Sequence, residues 1–409
     1  MRRFRFASKE MDIIKKKTYG FSKQGTFNRG RKSSAPKAKG VSGIDPNMLI
    51  KKASTEEVKP FVSSAMYKDI DLDIRLKNNL LKKGYDRPTQ IQEASLEQLI
   101  AGRNMVGVAS TGTGKTGAFL IPVIEQLLKA KAPFTSIVVV PTRELAQQVE
   151  AEFKSLTLGM GFSVACFIGG TSVSQDIIKA KRRNHLIVGT PGRLMDMSNR
   201  GALRFSDISV LILDEFDRML DMGFVHDIKR MTAMMTNRKQ TMLFSATVEK
   251  SQEMIISQMV ENPVKIQIST GKNASNSVEQ NVIKVKTGED KFKLLLDLFS
   301  SEDLNKVILF AETKRGVDVL SKKLSNSGIA NGIIHGDKSQ NYRTKAISQF
   351  KNGITRVLIA TDVAARGIDI EHVTHVINYQ LPMTMDSYIH RIGRTGRAGN
   401  KGMAYTFVD

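Results

Sequence analysis

The stretch ASTGTGKT (109–116) lies between a short apolar run that includes Val106 and Val108 and a second apolar run at 119–124. That order of strand, glycine-bearing loop and helix start commits this part of the chain to an α/β fold with a nucleotide site at a strand end. Such a loop turns successive backbone N–H groups inward at a helix N-terminus, where the peptide dipole favours an anion. Ser110, Thr111, Gly112, Thr113 and Gly114 then surround the phosphates, Lys115 reaches the β/γ-phosphates and Thr116 ligates Mg²⁺. Gly112 and Gly114 let the backbone approach closely. Ala109 stands where the usual pattern begins with glycine, so the rest of the chain has to bear on the reading.

From about residue 104 onward, short apolar runs alternate with longer stretches of helical periodicity, the pattern of a parallel sheet covered on both faces. Strands are expected at 105–108, 137–140, 186–188, 210–213, 242–244 and 264–268. The polar segment STGKNASNSVE (269–279) reads as a linker. The pattern then restarts, with strands expected at 282–285, 307–310, 332–334, 357–360, 376–379 and 403–407. The expectation is a doubly wound α/β domain over 60–268, the linker, and a second domain of similar plan over 280–409. Polar motifs follow the apolar runs: PTREL (141–145), TPGRL (190–194), DEFD (214–217) and SAT (245–247) in the first half, AET and ATD in the second. Ligands of open parallel sheets bind beyond the carboxyl ends of the strands, so a cleft between the two polar rims is the natural active site.

The 409 residues carry a formal net charge of +22, which predicts an acidic partner, nucleic acid first and a membrane surface second. Residues 1–59 hold sixteen Lys and Arg against five Asp and Glu, a net of +11, so half the excess lies in this segment. Its scattered aromatics are too few for a core, and it reads as a basic, disordered tail. Three roles stay open for it: a solvated solubility tail, an RNA-tethering arm whose aromatics stack on bases, or an Arg-rich organelle-targeting segment. No apolar run approaches the roughly 18 residues that cross a bilayer, and no apolar stretch follows the N-terminal arginines, so a cytoplasmic protein without a membrane partner is expected. Cys166 sits in an apolar run and reads as core packing. His372 and His375, with a single cysteine in the chain, do not make a structural metal site, and Mg²⁺ with ATP is the metal expected.

Two further groups bear on chemistry. Asp214 and Glu215 directly follow the run VLIL, where Asp214 can hold Mg²⁺ opposite Thr116 and Glu215 can orient and deprotonate an attacking water. The run HRIGRTGR (390–397) concentrates three arginines. Arg394 and Arg397 are expected to meet the charge that develops on a transferring phosphoryl group; the same run could equally contact a phosphate backbone.

Taken in order, these motifs resemble those of the DEAD-box RNA helicases across about residues 67–397. PTQIQ (88–92) resembles the family's Q motif, with Tyr67 at the upstream aromatic position where Phe is usual. Gly169 with Gly170, the Gln340/Arg343 QxxR pair and ATDVAARGID (360–369) complete the series. The resemblance implies two tandem RecA-like domains and an ATP- and Mg²⁺-dependent enzyme acting on RNA with little base specificity. Gln92 would read the adenine, and Asp369 the ribose. Arg143, Gly170, Thr190, Gly192, Arg193, Thr313, Gln340, Arg343 and Thr361 would line the RNA face, while Asp217, Ser245, Thr247 and His390 would couple it to the nucleotide. DRMLDMGF (217–224) points to the bacterial RhlE-type group, and a monomer is expected. Phe216 departs from the family's Ala, with the neighbouring packing adjusted and near-normal turnover expected. The chain stops at Asp409, where the family adds a helix, so the second domain is trimmed or the sequence is a fragment. A DNA-directed helicase, and an ATP-dependent RNA clamp serving as a scaffold, are the alternatives.

Overall fold

The computed structural model describes residues 42, 44–51, 61–110, 112–130, 134–268, 278–301, 304–365, 370, 372–396 and 401–409. The apolar runs form two sheets in which every pairing is parallel. The first contains β1 (Met105–Val108), β2 (Thr135–Val139), β3 (Val164–Phe167), β4 (Leu186–Gly189), β5 (Ile208–Leu213), β6 (Gln240–Ser245) and β7 (Val264–Gln267), in the order β3-β4-β2-β5-β6-β1-β7. The second contains β8 (Val278–Lys284), β9 (Val307–Phe310), β10 (Asn331–Ile334), β11 (Val357–Ala360), β12 (His375–Asn378) and β13 (Gly402–Val408), in the order β10-β11-β9-β12-β13-β8.

Helices α1 (Ile74–Lys82), α2 (Gln90–Ile100), α3 (Lys115–Lys129), α4 (Arg143–Leu156), α5 (Val173–Ala180), α6 (Pro191–Asn199), α7 (Phe216–Asp221), α8 (Val225–Met234) and α9 (Lys250–Met259) accompany the first sheet. The second carries α10 (Lys291–Ser301), α11 (Lys314–Asn326), α12 (Gln340–Lys351), α13 (Asp362–Ala365) and α14 (Met385–Ile392). Side chains alternate across a strand, so each central strand feeds two cores. On β5, Val210 and Ile212 enter one hydrophobic cluster and Leu211 and Leu213 another. On β9, Val307 and Leu309 separate from Ile308 and Phe310 in the same way. Continuous apolar runs are what burial on both faces demands.

Three details differ from the sequence reading. The 164–168 run, noted only for its cysteine, contains strand β3 at one sheet edge. Burial pushes the Cys166 thiol well above its ordinary range, which suits packing rather than nucleophilic chemistry. Strand β8 begins at Val278, inside the expected linker. The tail expected to run to residue 59 is folded in part: Pro46–Leu49 forms a 3₁₀ turn capped by Asp45, and Lys51 bridges to Gln280 of β8. Residues 1–41 and 52–60 lie outside the described residues. Among the described residues no helix is long and apolar enough to cross a membrane.

Candidate active site

Strand order sorts the polar motifs into two groups along the carboxyl edge of the first sheet. Neighbouring β5, β6 and β1 bring Asp214 and Glu215, then Ser245, then the phosphate loop side by side, with Ala109 N–H donating to Ser245 O at 2.9 Å. Neighbouring β3, β4 and β2 bring Gly170, Thr190 and Arg143 together. Nucleotide and RNA motifs thus occupy separate halves of one edge. A threonine after the strand starts several of the helices: Thr142 caps α4 and Thr313 caps α11, each hydroxyl accepting a backbone N–H of the first turn, while Thr190 precedes Pro191 of α6 with no such bond.

In the phosphate loop, Gly112 (φ 84°) and Gly114 (φ 90°) adopt left-handed conformations. A Cβ on Gly114 would lie 2.8 Å from both Gln92 Nε2 and Thr89 Oγ1, so glycine is required there twice over. Lys115 Nζ donates to Ala109 O at 2.8 Å, which holds the ammonium within the loop and leaves two of its three donors for another acceptor. Thr113 Oγ1 closes onto Ser110 O at 2.8 Å. Thr111 lies outside the described residues.

Gln92 is hydrogen-bonded on both sides of its amide. Its Oε1 accepts from Thr89 N–H at 2.8 Å and Tyr67 O–H at 2.9 Å, and its Nε2 donates to Gly114 O at 3.0 Å. Both acceptor positions of the amide oxygen are filled, so Gln92 braces the phosphate loop, with one N–H left over. Tyr67, expected among the nucleotide contacts, is fully buried and meets the loop through its hydrogen bond to Gln92. Burial raises the Tyr67 phenol far above its ordinary range, keeping it a donor.

Asp214 is 3% exposed, and burial, offset in part by Lys115, pushes its carboxyl up to about 6. Its Oδ1 accepts the Glu215 N–H at 2.9 Å. Glu215 bridges β5 and α7 at φ 52°, ψ 51°, a left-handed conformation that costs a non-glycine residue about 1–3 kcal/mol. Its Oε2 is buried without a hydrogen-bond partner. A strained backbone carrying an unsatisfied carboxylate beside a phosphate loop marks a place where something else is meant to bind. Behind it, Asp217 Oδ2 accepts from Thr247 N and Oγ1, each at 3.3 Å, Asp217 N–H donates to Ser245 Oγ at 3.2 Å, and Ser245 Oγ donates to Thr247 O at 2.6 Å. DEFD and SAT are therefore one hydrogen-bonded unit.

Among the expected RNA contacts, Gly170, Gly192 and Thr313 are exposed, and Arg143, Thr190 and Thr361 are half-buried. The Arg143 guanidinium lies over the Gly169–Gly170 turn, where a Cβ on Gly170 would sit 2.6 Å from its Nη1. The remaining three make contacts within the protein. Arg193 is buried, donates to Thr171 O at 2.8 Å and pairs with buried Asp176 at 3.5 Å, so its charge is used inside the lobe. Arg343 Nη2 meets Glu144 Oε2 at 2.7 Å, and Gln340 Nε2 donates to Glu144 Oε1 and Gln147 Oε1, both at 3.1 Å. The QxxR pair on α12 thus grips α4 of the first sheet. Glu144, 4% exposed, is the key residue that the sequence reading passed over. The signal was available: an acid inside a buried helix start calls for a cationic partner.

In the second sheet, His390, Arg391 and Arg394 share a small cleft with Phe310 and Asp362. Arg391 is bound bidentately to Asp362 at 2.6 and 2.8 Å, donates to Gln380 O at 3.0 Å and stacks on Phe310, so it anchors α14. Arg394 lies just past the helix end and is 6% exposed. Arg397 and Asp369 lie outside the described residues.

Phe216 is fully buried in the cluster that includes Leu213, Met219 and Ile228, so the ring serves as core of the first lobe. Phe216→Ala should cost about 3–5 kcal/mol of stability, read as a lower denaturant midpoint, with near-normal ATP turnover at a temperature where the variant stays folded. A large fall in RNA-stimulated turnover there would instead show that the ring tunes coupling.

Known proteins share this architecture. The DEAD/DEAH box helicase family matches residues 89–255, and the helicase conserved C-terminal domain matches residues 290–399. The ATP-dependent RNA helicase CshA of Limosilactobacillus reuteri is 40% identical, over 84% of this chain and 69% of that protein. The ATP-dependent RNA helicase vasa of Drosophila melanogaster is 38% identical, over 89% of this chain and 55% of that protein. Among solved structures, S. cerevisiae Dbp5 bound to RNA and ADP BeF3 superposes with a TM-score of 0.75 at 32% identity, over 84% of this chain and 89% of that one. Mss116p bound to ssRNA and AMP-PNP gives 0.76 at 27%, over 85% and 76%. Both tandem RecA-like lobes are matched, each by its own half of the helicase core and in the same order along the chain, and the chain belongs to the DEAD-box family of ATP-dependent RNA helicases.

Proposed function

We propose that this chain hydrolyses ATP in response to RNA and uses closure of its two lobes, over 60–268 and 280–409, to bend one strand and separate short RNA duplexes locally. The observation that carries the reading is the Glu144 bridge to Gln340 and Arg343, which brings the RNA half of the first sheet's edge against the second lobe. A strand lying along that edge would meet Arg143, Gly170, Thr190 and Gly192 from one lobe and Thr313 and Thr361 from the other. Contacts of this kind read phosphates and ribose hydroxyls, which report strand type and leave base identity unread.

On the nucleotide half, the loop N–H groups and Lys115 would hold the triphosphate and Asp369 the ribose. Thr116 and Asp214 would hold Mg²⁺, which supplies positive charge to the phosphate oxygens; a hydroxyl and a carboxylate are the oxygen donors it favours, and Asp214 is buried with its charged form disfavoured by desolvation. Glu215 would take the proton of the attacking water. Arg394 and Arg397 would meet the charge that grows on the transferred group. The Asp217–Ser245–Thr247 unit, with His390, would relay strand engagement to this site. A cytoplasmic monomer fits the reading, and the RhlE-type grouping rests on DRMLDMGF together with the short core and its simple basic extension.

The deciding measurement is ATP turnover with single-stranded RNA, single-stranded DNA or neither, followed by displacement of a short labelled RNA duplex. Stimulation by RNA with strand displacement supports the proposal. Equal stimulation by DNA would make it a DNA-directed enzyme, and RNA-stimulated turnover without displacement would make it an RNA clamp.

A further inference from the structure

Residues 42 and 44–51 precede the first lobe in sequence and fold onto the second. Leu49 is 1% exposed and Ile44 8%, packed with Val278, Tyr388, Ile392 and Ala404, while Met48 and Ile50 on either side of Leu49 are 63% and 59% exposed. A segment that buries one residue and exposes both its neighbours is seated in a defined register. The seat is the free edge of the sheet. Gln280 of β8 donates to Lys51 O at 2.8 Å and accepts from Lys51 N–H at 3.2 Å, and Ser42 Oγ donates to Pro382 O at 2.7 Å.

The contacts lead directly to the arginine-bearing helix. Tyr388 and Ile392, four apart on α14, form the face that meets Leu49. Tyr388 O–H donates to Gln280 Oε1 at 3.1 Å, so one residue pairs with Lys51 through its backbone and with α14 through its side chain. On another side, Arg391 bolts α14 to Asp362 and Gln380. Arg394 follows two residues after Ile392, with its N–H bonded to Arg391 O at 3.1 Å.

We propose that residues 44–51 form a strap that seats α14, and that Leu49 is a positioning residue for Arg394 in ATP turnover. The inference rests on the reading of Arg394 as the group that meets the transferred phosphoryl. Held between the strap and Asp362, α14 cannot tilt; released on one side, it carries Arg394 off its mark, and an error of about 1 Å at such a group can lower the rate on the order of 10²-fold.

The test uses the full chain in four forms: parent, Leu49→Ala, Leu49→Met and Arg394→Gln. RNA-stimulated kcat, KM for ATP and affinity for a fluorescent ATP analogue are measured well below each melting temperature. The expected result is a fall of about tenfold or more in kcat for Leu49→Ala, with KM and analogue affinity within about twofold of the parent and most of the rate restored by Leu49→Met. Parental kcat in Leu49→Ala, alongside an inactive Arg394→Gln, overturns the strap and leaves the arginine reading intact. Parental kcat in Arg394→Gln removes that reading itself. A loss in Leu49→Ala that appears equally in analogue affinity, or that Leu49→Met does not restore, means general loosening and also overturns the proposal.

Discussion

Glu215→Gln is expected to bind ATP and RNA as the parent does, yet to lose about 10²- to 10⁴-fold in hydrolysis, the span usual for a missing general base. The carboxylate is placed by a left-handed backbone at φ 52°, its Oε2 has no hydrogen-bond partner, and Asp214 beside it is occupied by the Glu215 N–H. The amide has nearly the same shape and cannot take a proton. Binding should therefore persist while the step that reopens the lobes fails, and the variant should accumulate a long-lived complex with ATP and RNA. Single-turnover hydrolysis and the off-rate of a labelled RNA separate these effects. Equal hydrolysis rates in variant and parent would exclude Glu215 as the base.

A loss of about 10³- to 10⁵-fold in RNA-stimulated kcat is expected when Arg394 and Arg397 are both replaced by Gln, with little change in ATP affinity. Loop, lysine and brace all belong to the first lobe, where Gln92 and Lys115 are fastened to the phosphate loop independently of α14. Cations that meet only the transition state act on kcat rather than on ground-state binding. Arg391 makes the instructive contrast: its bidentate bond to Asp362 and its stacking on Phe310 give it a holding role, though it stands in the same run of eight residues. Parental turnover in the double variant would remove the arginines from the mechanism.

Much of this organisation was legible because it is local. β1, β9 and β11 begin and end where their apolar runs do, and threonines after strands mark helix starts at Thr142 and Thr313. The phosphate loop announces itself by glycines whose backbone angles other residues resist. What escaped reading depends on partners distant in sequence. The partners of Glu144 lie nearly 200 residues away, and Arg193 looks like a surface cation until Asp176 is seen beneath it. Gln92 is expected to read the adenine and Tyr67 to stand among the nucleotide contacts; their hydrogen bonds to each other, Thr89 and Gly114 add a link to the phosphate loop that the sequence does not display. The strap was hidden by composition: two apolar residues, Ile44 and Leu49, are enough to dock it, far fewer than a periodic pattern needs to be noticed.

The docking of residues 44–51 on the second sheet means that the chain passes between the lobes twice, through 52–60 and again through 269–277. Nine residues reach at most about 30 Å when fully extended. Two tethers of that reach, one on each side of the first lobe's sequence, bound how far the lobes can separate more tightly than a single connection would.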